Sequence, residues 1–589
     1  MIPSLAAFLV LTIGPGLWLG RRLPVPGALR PSVIIAVSLG AVAAGAWSLY
    51  LAAAPLWLGW GLTAVSAVAA SAARRDLGRL LRRPLARMQF IGFATVVIEC
   101  LLLHAAVFSY HGGCWSGDWL EHYERSLFFL DRPDPLSAQF LVGTYSLPAR
   151  PPAFNLLAGL LMAHGARDFA AYQVVATLLN CLACLPMWAI GIAFMRSVRV
   201  PRRHGLPAIV AATLLAPVFI QNAIFPWTKL FTAFFVLTGL ALVAVRGPRA
   251  SARLALAGGC FGLAISAHYS AAVYAVVAAG FLGAQVLRRR VSAPGLVAFG
   301  VAAAAATLPW LAYAATVFGW QAATSTTAVS DAARLTPFGN VVKVLLNIRD
   351  TLLPHFLRPR PPLVQELMEQ THPLAPLRDY WFLPLQQNFP WAAGTLAPLV
   401  AGWAWLAGGG VAKPGRGARD SVGLSGWYSI RDSLWAWVLL TGVPLGIAVH
   451  GGRDTLGLAH ICLQPAVLVA IAWLVSRMPL VPAAVRVAAY AGSLFDAAVG
   501  IALQVILEHE PIGLVIRHEG DRTLFNNDVG LYAAATLNLS NKLHYRFPLL
   551  ADQFGGGLPL GLGLTGLLVA FVVFVWQIEA ARGRRAHAP

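Results

Sequence analysis

The sequence predicts an all-α polytopic membrane protein with about 13–15 transmembrane helices. Hydrophobic residues make up 58% of the 589-residue chain and charged residues only 12%, which lies far outside the composition of water-soluble globular proteins. The mean hydropathy is +0.68, and apolar stretches of roughly 20 residues, long enough to cross a bilayer, recur along the chain. We therefore expect a bundle of membrane-spanning helices joined by polar loops.

The first apolar stretch, residues 2–20, has no basic segment before it and ends at Arg21 and Arg22. We expect it to be a membrane span with its N-terminus outside, and not a cleaved signal peptide. The later stretches alternate with short loops in the same way. In chain order the candidate spans are 2–20, 32–53, 56–73, 89–110, 171–195, 207–223, 230–245, 254–267, 271–287, 295–318, 391–410, 433–450, 458–476, 487–507 and 557–578.

The distribution of arginine predicts the orientation of the bundle. When the candidate spans are threaded alternately through a membrane, most arginines fall in loops on one side, and such basic loops are typically cytoplasmic. The C-terminus is then cytoplasmic, and the long loops lie outside. Frequent arginine with only four lysines is typical of a GC-rich bacterial source, so we expect a multi-pass protein of the bacterial inner membrane.

The net charge of +20 is spread over those short loops, where it suits orientation and contact with lipid headgroups. No basic domain is available for nucleic acid, so we expect none as a partner. Function is expected in the long outer loops. The predicted organisation is a three-span N-terminal addition at 1–88, a catalytic core at 89–320 with outer loop 111–170, a second outer loop at 321–390, and a C-terminal region at 391–589 with outer loop 508–556.

The first outer loop carries ionisable residues at helical spacing. Asp118, Glu121, His122 and Arg125 recur at intervals of three and four residues, which would place them along one face of a short helix at the interface. Transfer of a glycosyl group needs a carboxylate to accept a proton from the acceptor hydroxyl, and cations to stabilise the departing phosphate. Asp118 is the best candidate for the general base; alternatively, it caps a helix over 119–129.

The neighbouring acids allow two interpretations. Glu121 and Glu124 could support a divalent cation, or they could simply solvate the loop, and the second interpretation is favoured. His122 could complete a metal site, although one histidine and one aspartate fall short of a ligand set. The sequence therefore names no cofactor, and a divalent cation stays an open possibility.

Several basic residues are placed to meet an anion outside the membrane. Arg150 lies in the proline-rich stretch 146–155, which cannot be regular helix and would hold it on a stiff backbone. Lys229 begins a span at the level of lipid phosphates, where it either binds an anion or snorkels. His268 lies between two short apolar runs and either contacts a ligand or packs between helices. Both alternatives stay open for each of these two residues.

The later outer loops add further candidates. In the second outer loop, Lys343 and Arg334 would suit a phosphate head, although a solvated loop carries such residues anyway. His450 and Arg453 follow a span and could close the same cavity. Two carboxyls that lie within spans, Glu99 and Asp496, are costly unless they are paired or line a water-filled route, and no role is assigned to them.

Four short segments resemble the GT-C superfamily of integral-membrane glycosyltransferases, in particular protein O-mannosyltransferases and lipid A aminoarabinose transferases. The resemblance covers about 89–320. The segments are Gly117-Asp118-Trp119, Ala149-Arg150-Pro151-Pro152, Phe225-Pro226-Trp227-Thr228-Lys229-Leu230 and Ala267-His268-Tyr269.

The resemblance implies a catalytic role for Asp118, a sugar donor on a polyprenyl phosphate, and inversion at the sugar. It implies donor-phosphate or cavity roles for Arg150, Lys229, His268 and Tyr269. The acceptor would be a protein, a lipid or a glycan. This chain departs from many relatives, which have Asp-Glu where it has Asp118-Trp119, so the resemblance implies neither a metal requirement nor one class of acceptor.

Two other functions are compatible with the sequence. If the chain were a transporter or flippase of a lipid-linked or anionic solute, we would expect inverted repeats and paired polar residues deep in the spans. The sequence shows no evident repeat, and the polar residues within spans are Glu99, Asp496 and scattered amides. A transferase similar to O-antigen ligases, which use a diphosphate donor, would depend on the second and third outer loops instead of the first.

Overall fold

The fold is taken from a computed structural model. The structure describes residues 2–20, 25–108, 118–136, 147–245, 249–321, 336–352, 369–370, 434–449, 460–509, 514–515 and 549–586. The predicted span 391–410 and the site candidates Arg334, His450 and Arg453 lie outside the described residues. So does the side chain of Asp118, whose backbone is described.

Helices account for nearly all of the described structure. The N-terminal region contains α1 (Ile2–Gly20), α2 (Arg30–Leu51), α3 (Trp57–Ala72), α4 (Arg74–Leu81) and α5 (Pro84–His104). The central region contains α6 (Asp118–Asp131), α7 (Ala153–Met162), α8 (Phe169–Cys181), α9 (Cys184–Ser197), α10 (Arg202–Leu214), α11 (Pro217–Ile224), α12 (Lys229–Ala244), α13 (Ala250–Ala267), α14 (Ala272–Leu287) and α15 (Ala293–Phe318).

The C-terminal region continues the bundle. It contains α16 (Pro337–Leu352), α17 (Leu434–Trp437), α18 (Val443–Val449), α19 (His460–Arg477), α20 (Ala483–Phe495), α21 (Ala502–His509), α22 (Leu550–Phe554) and α23 (Gly557–Ala586). Single π-helical turns join α17 to α18 and α20 to α21. Two antiparallel strands of two residues each, β1 (Glu369–Gln370) and β2 (Leu514–Val515), connect the second and third outer loops.

The structure confirms an all-α, multi-pass membrane protein. Nine helices in the described part of the chain are long and apolar enough to cross a membrane, and α10 with α11 forms a tenth candidate bent by 63°. Four further apolar helices have 10–17 residues. The bend follows from Pro217, which starts α11 and cannot continue the hydrogen bonding of α10.

One helix in the first outer loop differs from expectation. The prediction that 146–155 has no regular helix is wrong at its end, because α7 begins at Ala153 directly after Pro151 and Pro152. Proline is well suited to a helix start, where its missing N–H and fixed φ cost nothing. All ten residues of α7 are buried, so part of this loop belongs to the protein core.

The larger of the two hydrophobic clusters among the described residues runs from α1 to α23 and includes N-terminal helices. At one end of this core, rings from three distant parts of the chain meet. The centroids of Trp47 on α2 and Trp310 on α15 are 5.7 Å apart, and those of Tyr50 and Phe129 on α6 are 5.2 Å apart. The hydroxyl groups of Tyr50 and Tyr313 lie 3.0 Å apart. Through Trp47 and Tyr50, α2 thus joins α6 on one side to α15 on the other.

Both mid-span carboxyls are buried. Glu99 on α5 packs against α23, where a methyl group at Gly566 would overlap its carboxyl group. Asp496 starts the π-helical turn between α20 and α21 and is fully buried. Because Gly566 carries no side chain, α23 can approach α5 closely enough to cover Glu99.

Candidate anion site on the outer loop

The site is built around helix α6, which begins at Asp118. The predicted i, i+3, i+4 spacing is realised, and the side chains of Glu121, His122 and Arg125 all turn into the protein. The general-base and capping roles of Asp118 both stay predictions. Its backbone, in the first turn of α6, lies one helical turn from Glu121.

Glu121 bridges two arginines. Nε and Nη2 of Arg125 donate to Oε1 of Glu121 over 3.0 and 2.8 Å. From the other side, Nε of Arg150 lies 3.3 and 3.4 Å from the two carboxylate oxygens, and its Nη2 donates to Oε2 over 3.2 Å. Arg150 therefore meets both oxygens of the carboxylate, and the three side chains form one charged cluster.

The three charges differ sharply in their access to solvent. Only 1% of the Glu121 and Arg125 side chains is exposed, against 21% of the Arg150 side chain. Burial alone would raise the pKa of Glu121, but the charges of Arg150 and Arg125 outweigh burial and hold it well below its usual range. Glu121 is therefore an anion at neutral pH, and Arg150 is the member of the cluster that reaches the surface.

The burial of Glu121 corrects the sequence interpretation. We expected Glu121 to solvate the loop, but it is enclosed and doubly paired. Glu124 is half-buried. Within the described residues, no three His, Cys, Asp or Glu side chains lie close enough to hold a metal ion, so Glu121 and His122 form no such group there.

His122 occupies a different environment on the same helix. Its Nδ1 lies 3.2 Å from Oδ1 of Asn155 on α7, and its ring packs edge-on against Phe154 with centroids 6.1 Å apart. Burial lowers the pKa of His122 to about 3, although the neighbouring Glu121 carboxylate opposes that shift. His122 is therefore neutral at physiological pH and links α6 to α7.

The backbone before Arg150 is fixed from two sides. The 3₁₀ turn Leu147–Ala149 precedes Arg150, and the Leu147 carbonyl accepts a hydrogen bond from Nη1 of Arg125 over 3.1 Å. The Tyr269 hydroxyl donates to the Pro148 carbonyl over 3.0 Å, and Trp310 donates to that hydroxyl over 2.7 Å. Tyr269, a predicted cavity residue, thus holds the segment that carries Arg150.

Lys229 starts α12 and is 5% exposed. Its ammonium nitrogen lies 2.8 Å from the centroid of the Trp227 ring. The turn before it is braced by Asn180, whose Nδ2 donates to the Trp227 carbonyl over 2.9 Å and whose Oδ1 accepts from the Phe231 N–H over 3.1 Å. The Phe231 ring packs against Phe154, with centroids 5.4 Å apart, so this turn adjoins the helices of the charged cluster.

The remaining candidates are distributed around the fold. Nδ1 of His268 accepts from the Ser270 N–H over 3.3 Å and lies 3.0 Å from its hydroxyl, so His268 caps the turn Tyr269–Ala271. Lys343 is buried on α16, where its carbonyl accepts from Asn347 over 2.9 Å. Of the predicted site residues, Arg150 contacts Glu121 directly. Tyr269 acts on the same cluster through its hydrogen bond to Pro148, two residues before Arg150.

Three residues that hold the site in place were not identified from the sequence. Asn155 and Asn180 hold site segments through buried amides, and Trp310 orients Tyr269 from a helix more than a hundred residues after α7. A polar amide within an apolar run is a signal that could have found the two asparagines, since buried amides require partners. No local pattern would have found Trp310.

The arrangement can bind an anion. A guanidinium that is partly exposed, held on a fixed backbone and close to the first turn of a helix offers directed donors to a phosphate or carboxylate. The N-terminal turn of α6 adds the favourable end of a helix dipole. The charged cluster therefore offers donors suited to a phosphate or carboxylate group.

Comparison with known proteins finds similarity at the level of structure. No model of a known protein family matches the chain, and no curated protein does. The chain is similar to the crystal structure of ArnT from Cupriavidus metallidurans bound to undecaprenyl phosphate, with 14% identity over 84% of this chain and 78% of that one, and a TM-score of 0.42. The crystal structure of ArnT in the apo state is similar as well, with 14% identity over 82% of this chain and 75% of that one, and a TM-score of 0.41. No residue role follows from similarities of this size.

Proposed function

We propose that this chain is a membrane glycosyltransferase of the GT-C type. It transfers a sugar from a polyprenyl-phosphate donor to a protein, lipid or glycan acceptor at the outer face of the bacterial inner membrane, with inversion at the sugar. Undecaprenyl phosphate, the ligand in the similar ArnT crystal structure, is the lipid phosphate that we propose for the donor.

The observation that carries the proposal is the position of Arg150. Its guanidinium is fixed by Glu121 and remains 21% exposed, on the loop that follows the helix beginning at Asp118. A lipid-linked phosphate bound to this cation would bring its sugar close to the first turn of α6, because Arg150 contacts Glu121, one helical turn after Asp118. Phosphate binding and proton acceptance are then available within one small region.

In the proposed reaction Asp118 accepts the proton of the acceptor hydroxyl. The acceptor oxygen forms a bond to the anomeric carbon of the sugar, while the bond between that carbon and the phosphate oxygen breaks. The electron pair stays on the lipid phosphate, and Arg150 and Lys229 stabilise its charge. The products are a glycosylated acceptor and a polyprenyl phosphate.

The test is an assay of the purified chain in lipid nanodiscs with synthetic polyprenyl-phosphate sugars and cell-envelope acceptors. Mass spectrometry would follow both the glycosylated acceptor and the released lipid phosphate. We expect Asp118→Asn to lower kcat by about 10²- to 10⁴-fold, whereas Asp134→Asn, a change at an exposed carboxylate after α6, should leave kcat unaltered.

Two outcomes would overturn the proposal. Full activity of folded Asp118→Asn protein would exclude Asp118 as the base. Movement of the lipid-linked sugar across a reconstituted vesicle, without any new glycosidic bond, would show a flippase instead of a transferase.

A further inference from the structure

The carboxylate of Glu121 lies where an anionic ligand of Arg150 would otherwise bind. It faces the guanidinium with both oxygens, at distances of 3.2–3.4 Å. This two-oxygen contact is the geometry in which arginine also binds phosphate. A phosphate that reaches Arg150 must therefore share the guanidinium with a negative charge that belongs to the protein.

Glu121 cannot easily turn away to make room. Arg125 holds it with two nitrogens, and Arg125 is itself tied to the Leu147 carbonyl. Glu121 and Arg125 are both 1% exposed, so water screens their charges poorly. The carboxylate is thus a fixed negative charge next to the one cation of the cluster that reaches the surface.

We propose that Glu121 is a positioning residue that sets how much negative charge the Arg150 site accepts. It aims Arg150 and lets it bind the singly charged phosphodiester of the donor, but it disfavours a doubly charged phosphate monoester. The inference rests on the proposed function, because it names the selectivity of the same site.

The reaction itself changes the charge of the ligand. In the donor, the phosphate is esterified to both the lipid and the sugar, so it has one ionised oxygen. When the bond to the sugar breaks, the leaving oxygen keeps the electron pair, and the phosphate gains a second ionisable oxygen with a pKa near 6. At neutral pH the product therefore carries more negative charge than the donor. A fixed carboxylate beside Arg150 repels that additional charge and favours release of the product.

A purely structural ion pair would behave differently. Removing the charge of Glu121 would then change the stability of the chain, but it would affect the two kinds of phosphate equally. The ratio of their affinities separates the two roles, since a general loss of structure weakens both ligands together.

The experiment uses the full chain in nanodiscs and two probes, undecaprenyl phosphate and its methyl ester, which carries a single charge. Binding of each is measured by microscale thermophoresis at pH 7.5, and the wild type is expected to bind both. We expect Glu121→Gln to increase the affinity for the monoester relative to the methyl ester by about tenfold. The matched control is Asp131→Asn, which changes another carboxylate of α6, one in an exposed ion pair with Arg167, and it should leave the ratio unchanged.

A second variant guards against misfolding of Glu121→Gln. Glu121→Asp keeps the negative charge that Arg125 requires but withdraws it from Arg150 by one methylene, and we expect a change of about two- to threefold in the same direction. An unchanged ratio in folded Glu121→Gln or Glu121→Asp protein would overturn this inference while leaving the proposed function intact. If the wild type bound neither probe, that result would instead overturn the proposed function.

Discussion

Arg125 illustrates how a single residue can support a site without reaching its ligand. A guanidinium that is almost completely enclosed loses its hydration, and the loss is repaid only by well-aligned acceptors. Arg125 has such acceptors in Glu121 and the Leu147 carbonyl. It therefore connects the middle of α6 to the segment that carries Arg150.

Arg125→Gln should be strongly destabilising. It leaves the buried Glu121 carboxylate with weaker compensation, and breaking a buried pair on one side typically costs about 3–5 kcal/mol. Thermal unfolding in detergent, followed by intrinsic fluorescence, measures the effect. Arg167→Gln is the matched control, because its pair with Asp131 is about half exposed and should contribute about 0–1 kcal/mol. Equal losses for the two variants would contradict this assignment.

The buried His122 predicts a dependence of stability on pH. Its pKa in the folded protein, about 3, lies below the value of about 6.5 in an unfolded chain. Below pH 6.5 the unfolded state binds a proton at His122 and the folded state does not. The contribution of His122 to the free energy of unfolding is therefore fully present above pH 6.5 and falls as the pH drops towards 3. The contribution of this group is about 1.4 kcal/mol per pH unit within that window.

His122→Asn provides the measurement for this effect, because it removes the titrating ring. Unfolding of both proteins would be compared between pH 7.5 and 5.0. We expect the wild type to lose stability more steeply than His122→Asn below pH 6.5. Parallel pH profiles would show that His122 does not titrate on unfolding.

At the residue scale, sequence spacing identifies the neighbours along α6 but not the partner across the fold. Glu121 and Arg125 are four residues apart, so their contact follows from helical geometry. Arg150 lies 29 residues from Glu121, and its position depends on how α7 packs against α6. Hydropathy carries no information about that packing, which is why Glu121 was expected to be solvated.

Helices α6 and α7 approach each other closely at Gly159. A Cβ atom built there would lie 2.7 Å from the Ser126 carbonyl oxygen on α6, which is too short for a real contact. The missing side chain therefore sets the separation of two helices that bear on the charged cluster.

Gly159→Ala should push these helices apart, with a loss of about 1–3 kcal/mol in stability. It should also weaken binding of undecaprenyl phosphate, because Glu121 and Arg150 belong to the two displaced segments. Thermal unfolding and ligand binding measure the two effects. Gly259→Ala on α13 is the control, since nothing lies within 4 Å of its added methyl group, and it should change stability by less than about 1 kcal/mol.

At the element scale, hydropathy identifies long spans better than short helices. The predicted spans 2–20 and 295–318 match α1 and α15 within two residues. Helix α7 has only ten residues, too few for a span, and the prolines that precede it, Pro151 and Pro152, are equally compatible with a loop. Only the tertiary structure shows that they start a buried helix.

At the scale of the whole molecule, orientation is the prediction that a labelling experiment can decide. The distribution of arginine places the segment 74–88 in the cytoplasm and the end of α6 outside. The four cysteines whose side chains the structure describes, Cys100, Cys181, Cys184 and Cys260, are buried, so they should be protected from labelling. After Cys114 and Cys462 are replaced by serine, single cysteines can report on each side.

We expect Asp134→Cys to react with a membrane-impermeant maleimide in intact spheroplasts, and Arg79→Cys to react only after the membrane is permeabilised. Both positions are exposed, with 73% of the Arg79 side chain accessible. The reverse pattern would invert the topology and would put the charged cluster on the cytoplasmic side.

The aromatic cluster around Phe129 has a consequence for biosynthesis. A ribosome adds about 5–20 residues per second, so α2, with Trp47 and Tyr50, is complete several seconds before α6 emerges. Helix α15, with Trp310 and Tyr313, follows α6 by about 180 residues, which corresponds to roughly 9–36 seconds of translation. During that interval Trp47, Tyr50 and Phe129 can pack together, but the side of Trp47 and Tyr50 that Trp310 and Tyr313 cover stays open. A nascent chain stalled before α15 would therefore offer these rings to chaperones and membrane proteases.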